Sequence, residues 1–369
     1  MGTGLYDSGR TISSVYIEPF ALERWFAAHE HEADVMLAES GIRPLPASRF
    51  DLDPGEMGYV IPTAGDPEFR AEVAVHYGRS ADEVTFTVGT QEANFLVFVS
   101  RLDADDHAVV VAPTYQALKS VPAAFADVSE VWLEPPDWRL DVDEVAEAIR
   151  PETALIVLAN PNNPTGRYHS LETVTALYDL AADAGAYLHC DEVYRLLAEE
   201  PLPPVASLGE HGISTTSVTK SFGLAGARFG WLCGPEAVVE AATRWKDYTT
   251  ISPAVVGQHV ARQALDREEE LLRENRALAE RHHDIVAAWV DEHDLSWHDP
   301  VGVNGFISVP SGFADGEAFC RAVVEAESVV LAPGNSFGFP EYFRIGFGLP
   351  TEELVEGLER VGRVVAGER

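Results

Sequence analysis

The chain contains three lysines, Lys119, Lys220 and Lys246, and the neighbours of one of them suit covalent chemistry. Ser217, Thr219 and Ser221 place hydroxyls around Lys220. Gly223 and Gly226 then bend the chain, and Arg228 leads into the apolar run of residues 228–233. A lysine amine attacks a carbonyl carbon to form a Schiff base. Burial or a nearby cation such as Arg228 would lower its pKa and free its lone pair. The same hydroxyls, glycine N–H groups and guanidinium can hold a phosphate. An isolated lysine would read as a solvated surface residue. One that stands in a chain almost without lysine, among groups of matching chemistry, does not.

Four other places carry residues that could join it. Gly89-Thr90-Gln91 follows the β-branched run 84–88 and opens a helix, where free N–H groups and the helix dipole draw an anion. Asn160-Pro-Asn-Asn163-Pro-Thr-Gly166 reads by itself as turn chemistry. Asp191 and Tyr194 follow the apolar run 186–190, and an aspartate there commonly caps a helix. Arg344 lies in the apolar run 343–348. A buried guanidinium is costly unless paired, and its planar fork suits a carboxylate. His29 and His31 sit among acids, but their i, i+2 spacing does not share one helix face, so they read as solvated and not as a metal site.

Gathering these residues at one edge requires strands that end where the motifs begin. Short strand-like runs at 84–88, 108–112, 128–133, 154–159 and 186–190, β-branched or largely apolar, alternate with helical patterns at 93–101, 141–149 and 170–185. That is the signature of an α/β fold with a mostly parallel central sheet covered on both faces. Such sheets bind ligands beyond the carboxyl ends of their strands. Residues 1–16 look irregular. A helix is expected over 19–39 and another over 67–77, with Asp66 as N-cap and Pro67 in its first turn. Residues 235–290 read as helical with a break near 251–253. Beyond them, strands at 304–309, 328–331 and 343–347 alternate with helices at 315–327 and 351–365. The expected division is a large domain over 51–262 and a smaller α/β domain from 1–50 plus 263–369.

Composition narrows the function. The 369 residues carry 60 acidic against 26 basic side chains, a net charge of -34. Nucleic acid would be repelled by this surface. Acids spread along the chain, with almost no lysine, suggest the hydrated shell of a protein working in concentrated salt, a halophilic trait. No apolar run is long enough to span a membrane, and the start lacks a signal-peptide pattern. Cys190, Cys233 and Cys320 show no metal or disulfide spacing, so a reduced, cytoplasmic protein is expected.

Taken together, the Asn-Pro-x-Asn-Pro-Thr-Gly, Asp-x-x-Tyr and Ser-x-x-Lys motifs, Arg228, and the late Arg-Ile-Gly-Phe resemble the class I/II aminotransferases. These are fold-type I pyridoxal-phosphate enzymes, and the resemblance covers nearly the whole chain. It implies that Lys220 forms the Schiff base with pyridoxal 5'-phosphate and shuttles a proton. Asp191 would keep the pyridine nitrogen protonated, and Tyr194 and Asn163 would face the phenolic oxygen. Tyr115 would stack on the ring, while Ser217, Arg228, Thr90, Gln91 and the Gly89 backbone would hold the phosphate. Arg344 would fork onto the substrate α-carboxylate, with Asn163 beside it and Gly41 offering a backbone N–H. The partners implied are an amino acid, a 2-oxo acid and a second copy in a homodimer. Tyr59 is the candidate for a tyrosine given to the neighbour's phosphate, one residue out of the usual spacing. No second arginine for a side-chain carboxylate stands out; Arg43, Arg70 and Arg244 are the nearest candidates. The stretches 245–253 and 39–45 are similar to capreomycidine-synthase-like members, which leaves a lyase or cyclase outcome as the alternative.

Overall fold

A computed structural model describes residues 15–60 and 62–367; most of the stretch expected to be irregular, 1–16, lies outside them. Seven strands form the main sheet: β1 (Val84–Thr87), β2 (His107–Ala112), β3 (Asp127–Trp132), β4 (Thr153–Ala159), β5 (Tyr187–Asp191), β6 (Gly212–Ser217) and β7 (Gly230–Cys233). Their order is β1-β7-β6-β5-β4-β2-β3. Only β7 runs against its neighbours; β6, β5, β4, β2 and β3 pair in parallel. The continuous apolar runs follow from burial on both faces. Val109, Val110, Ile156, Leu158 and Leu188 are fully enclosed, and each such side chain stabilises the fold by roughly 1.5–3 kcal/mol relative to exposure.

Helices begin and end where local chemistry requires. Asp66 accepts from the Phe69 N–H at 2.8 Å and starts the helix Pro67–Val75. Ser170 caps Leu171–Ala184, and Gly185, at φ +71°, closes it in the left-handed region. A second sheet is antiparallel: Tyr342–Gly346 lies between Ala332–Pro333 and Asn304–Ser308. The long helix Glu268–Glu292 stands between the two sheets in sequence.

One expected element is shorter than its pattern. The helix expected over 19–39 covers only Ala21–His29. Val35 and Met36 instead form a parallel pair with Val329 and Val330. Val35 and Leu37 are buried in the core, and the strand pairing overrides a helical pattern that the run His29–Asp34, rich in charge, does not support.

Candidate active site

The carboxyl ends of β1, β2, β4, β5 and β6, with the strand Tyr342–Gly346 opposite, enclose a cavity of about 310 Å³. Because β7 is antiparallel, its amino end reaches the same edge and delivers Arg228. Thr87 and Ser217 both lie opposite Gly230 in the register. Gly89 has φ +80° and caps the helix Thr90–Arg101, whose first N–H groups have no intrahelical acceptor. A Cβ at Gly89 would sit 3.0 Å from the Arg228 guanidinium. Thr90 Oγ1 and Thr219 Oγ1 are buried without partners. Thr90, Gln91, Ser217, Thr219 and Arg228 all line the cavity. This end is a built cradle for an anion.

Asp191 ends β5. Its carboxylate accepts from Asn94 Nδ2 at 2.8 Å and from the Val193 N–H at 3.1 Å. Burial pushes its pKa up to about 6, against the pull of Asn94, Val193 and Lys220. Asn94 was not among the sequence candidates. Its Oδ1 in turn meets the Thr215 hydroxyl at 2.6 Å and His189 Nε2 at 3.1 Å. Burial drives His189 down to about 3, so the ring is neutral.

Lys220 departs from expectation. Its Nζ donates to Glu39 Oε1 at 3.0 Å and Ser40 Oγ at 3.0 Å. Burial does disfavour the ammonium, as anticipated, but Tyr194 and Glu39 outweigh it and hold the pKa above the usual lysine value. Arg228, expected to lower it, is not among the groups that act on it most. For Glu39, burial disfavours the charge, yet Lys220 and then Arg344 hold the carboxyl below its ordinary range. The amine thus rests protonated on a carboxylate that sequence reading passed over.

Arg344 is 1% exposed. Nη1 donates to Asn163 Oδ1 at 2.8 Å, Nη2 to the Ala38 carbonyl at 2.7 Å, and Nε is buried without a partner. Burial lowers its pKa. Asn163, Tyr194 and Tyr115 share the cavity. The Tyr115 hydroxyl donates to Glu23 Oε1 at 2.8 Å, and burial followed by that carboxylate raises the phenol's pKa. Gly41 lies buried outside the lining, where a Cβ would stand 3.2 Å from the Lys220 stem. Tyr59 is 76% exposed and away from this cavity. Arg70 donates to the carbonyls of Gly65, Ala81 and Val84, and Arg244 faces Glu240. Neither they nor Arg43 lines the cavity.

These residues fit pyridoxal phosphate: orphaned hydroxyls and a helix N-terminus for a phosphate, a lysine for an aldehyde, and a buried carboxyl for a ring nitrogen. Comparison with known proteins agrees. The family described as aminotransferase class I and II matches residues 39–361. An aspartate/prephenate aminotransferase of Thermus thermophilus is 30% identical, over 86% of each chain. The capreomycidine synthase of Streptomyces vinaceus is 27% identical, over 94% of this chain and 95% of the relative. A crystal structure of a PLP-dependent aminotransferase from Streptococcus suis superposes with a TM-score of 0.90 at 29% identity, covering 96% of this chain and 99% of that one. An anion cradle, a lysine, a buried aspartate and a forked arginine around one cavity, on a fold and sequence shared with these relatives, make the chain a member of the class I and II aminotransferases, fold-type I enzymes that depend on pyridoxal phosphate.

Proposed function

We propose that this chain moves an amino group from an α-amino acid to a 2-oxo acid, with Lys220 as its covalent and proton-carrying group. The observation that carries the reading is the shared cavity of Lys220, Asp191 and Arg344. When bound, pyridoxal phosphate supplies an electron-accepting ring. The side chains do the rest. The Gly89 backbone, Thr90, Gln91, Ser217 and Arg228 would hold the phosphate, and Asp191 would keep a proton on the ring nitrogen. Tyr115 would cover the ring, and Asn163 and Tyr194 would hydrogen-bond its phenolic oxygen. Arg344 takes the α-carboxylate in its fork, with the unpartnered Nε as a ready donor. Lys220 Nζ, whose proton Glu39 can accept across their 3.0 Å contact, would take the proton released from the substrate Cα and hold it for return.

A visible spectrum of the loaded enzyme, with amino acids added singly, tests this. Bleaching by one amino acid and recovery with a 2-oxo acid is the expected result. The similarity to capreomycidine synthase along 94% of the chain supports a second reading, a lyase or cyclase. A persistent band with ammonia, pyruvate or a cyclic product would select it. Exposed Met57, Tyr59, Trp245, Tyr248 and Ile251 support a second copy packed against this one. An active species of 40.2 kDa by light scattering would refute the dimer. Three free, buried cysteines support a reducing, cytoplasmic setting.

A further inference from the structure

Asn94 sits one turn along the helix Thr90–Arg101 from Thr90, so the helix that opens at the anion cradle also lines the cavity beside Asp191. Asn94, His189 and Thr215 are buried. A side-chain amide has one accepting end and one donating end, and its surroundings decide which of them faces Asp191. Thr215, opposite Asp191 in the β5–β6 register, donates its hydroxyl to Asn94 Oδ1 at 2.6 Å. His189, two residues before Asp191 on β5, places Nε2 3.1 Å from the same oxygen and 3.1 Å from Thr215 Oγ1. Burial holds this ring neutral, with its pKa down at about 3, so it carries a single N–H. Its Nδ1 is buried with no partner. We propose that Asn94 is a positioning residue for Asp191: with His189 and Thr215 both donating to its oxygen, it can offer Asp191 only N–H, and so selects the ionised carboxylate that a protonated ring nitrogen needs. The assignment rests on the amino-transfer reading above.

The same geometry disfavours the opposite arrangement. For Asn94 to accept a hydrogen from a neutral Asp191, its amide must turn and set Nδ2 against His189 and Thr215. His189 would then have to accept at Nε2 and carry its hydrogen on Nδ1, where no acceptor lies. A buried donor without an acceptor is costly. If the hydrogen stayed on Nε2, the turned amide would bring two donors face to face. The neutral histidine therefore locks the amide, and the amide selects the charged carboxylate. Asn94 Nδ2 meets Asp191 Oδ2 at 2.8 Å. The Val193 N–H, which can only donate, meets Oδ1 at 3.1 Å. Burial pushes the Asp191 pKa up, and Asn94 leads the groups that pull it back, ahead of Val193 and Lys220. The other titratable groups acting beside this carboxyl are its buried chain neighbours Cys190 and Glu192. Neither of them offers it a hydrogen bond.

The test is nuclear magnetic resonance of the cofactor-free protein, which reads the network without relying on turnover. Nitrogen shifts of the imidazoles, with His189 assigned by its loss in His189→Gln, should place the hydrogen on Nε2 at neutral pH. The Asp191 carboxyl carbon, assigned by its loss in Asp191→Asn, reports the titration of that group. Asn94→Leu, of similar size but without a donor, should raise the midpoint by about one pH unit or more. A residue that only filled space would leave the midpoint in place. Thr215→Val removes one of the two donors that orient the amide. It should raise the midpoint by less, and it decides the matter if Asn94→Leu does not fold. A His189 hydrogen on Nδ1 overturns the assignment, and so does a midpoint that the deciding variant leaves unmoved. Either result in an enzyme that transfers amino groups leaves the amino-transfer reading standing. A raised midpoint in a protein that converts no amino acid sustains the role of Asn94 and removes that reading.

Discussion

Asp191 is a carboxyl that folding makes harder to ionise. Its pKa rises from 3.8 to about 6 because burial outweighs the bonds from Asn94 and Val193. The folded state therefore binds a proton more tightly than the unfolded chain, and stability is lost as pH rises through that window. The loss is on the order of 3 kcal/mol by pH 8 in cofactor-free protein. Asp191→Asn should raise the unfolding midpoint of that protein at pH 8, by a margin that shrinks toward pH 5, while loosening cofactor retention. An equal gain at both pH values would contradict this. Lys220→Ala should lower the rate of amino transfer by at least about 10³-fold with an unchanged circular dichroism spectrum; full activity would refute its role. Arg344→Lys should raise the amino-acid KM by roughly 10–100-fold, read in steady-state kinetics, since a point charge replaces a planar fork of five directed N–H donors. The sequence made Lys220 and Arg344 visible because each is rare in its surroundings. Glu23 and Glu39 were invisible for the opposite reason. They are two of sixty acids, and only their position on the cavity wall sets them apart.

At the level of elements, the reversed strand β7 is what brings Arg228 to the Gly89 and Ser217 end of the cavity, the proposed phosphate cradle. Gly230 lies where β1, β6 and β7 meet. A Cβ there would approach the Thr216 carbonyl oxygen to 2.6 Å, the Gly89 carbonyl carbon to 2.8 Å and Ser217 Cβ to 2.9 Å. Two of these are backbone atoms that cannot swing aside. Gly230→Ala should destabilise the protein by about 1–3 kcal/mol in urea unfolding and weaken cofactor retention in dialysis. Retention equal to that of the parent would show that the cradle tolerates a wider strand spacing. The sheet itself was readable from short β-branched and apolar runs set between helical patterns. The direction of β7 was not, because a buried run looks the same read either way. The first helix was overread for a related reason: Val35 and Met36 extend an apolar helical pattern, but they pair as a strand with Val329 and Val330, almost three hundred residues away.

On the scale of the whole molecule, charge dominates. A net charge of -34 repels itself unless counterions screen it, and the screening length shortens from about 10 Å at 0.1 M salt to about 3 Å at 1 M. The fold should lose helical circular dichroism between molar and low-millimolar KCl; an unchanged spectrum would remove the halophilic reading. Arg49 with Glu270 and Glu274, and Arg360 with Asp34 and Glu356, offset the repulsion only locally. Composition gives the net charge directly, whereas the residues that line the pocket needed the chain folded. The grip of Arg344 on the Ala38 carbonyl has a consequence for regulation of the site by its own ligand. Ala38 and Glu39 are consecutive, one held by the arginine and the other by Lys220. A carboxylate that draws Arg344 toward itself therefore tugs the segment that fixes the lysine's proton. Linkage makes the effect reciprocal: whatever binding at the arginine does to the lysine's acidity, deprotonating the lysine returns as affinity at the arginine.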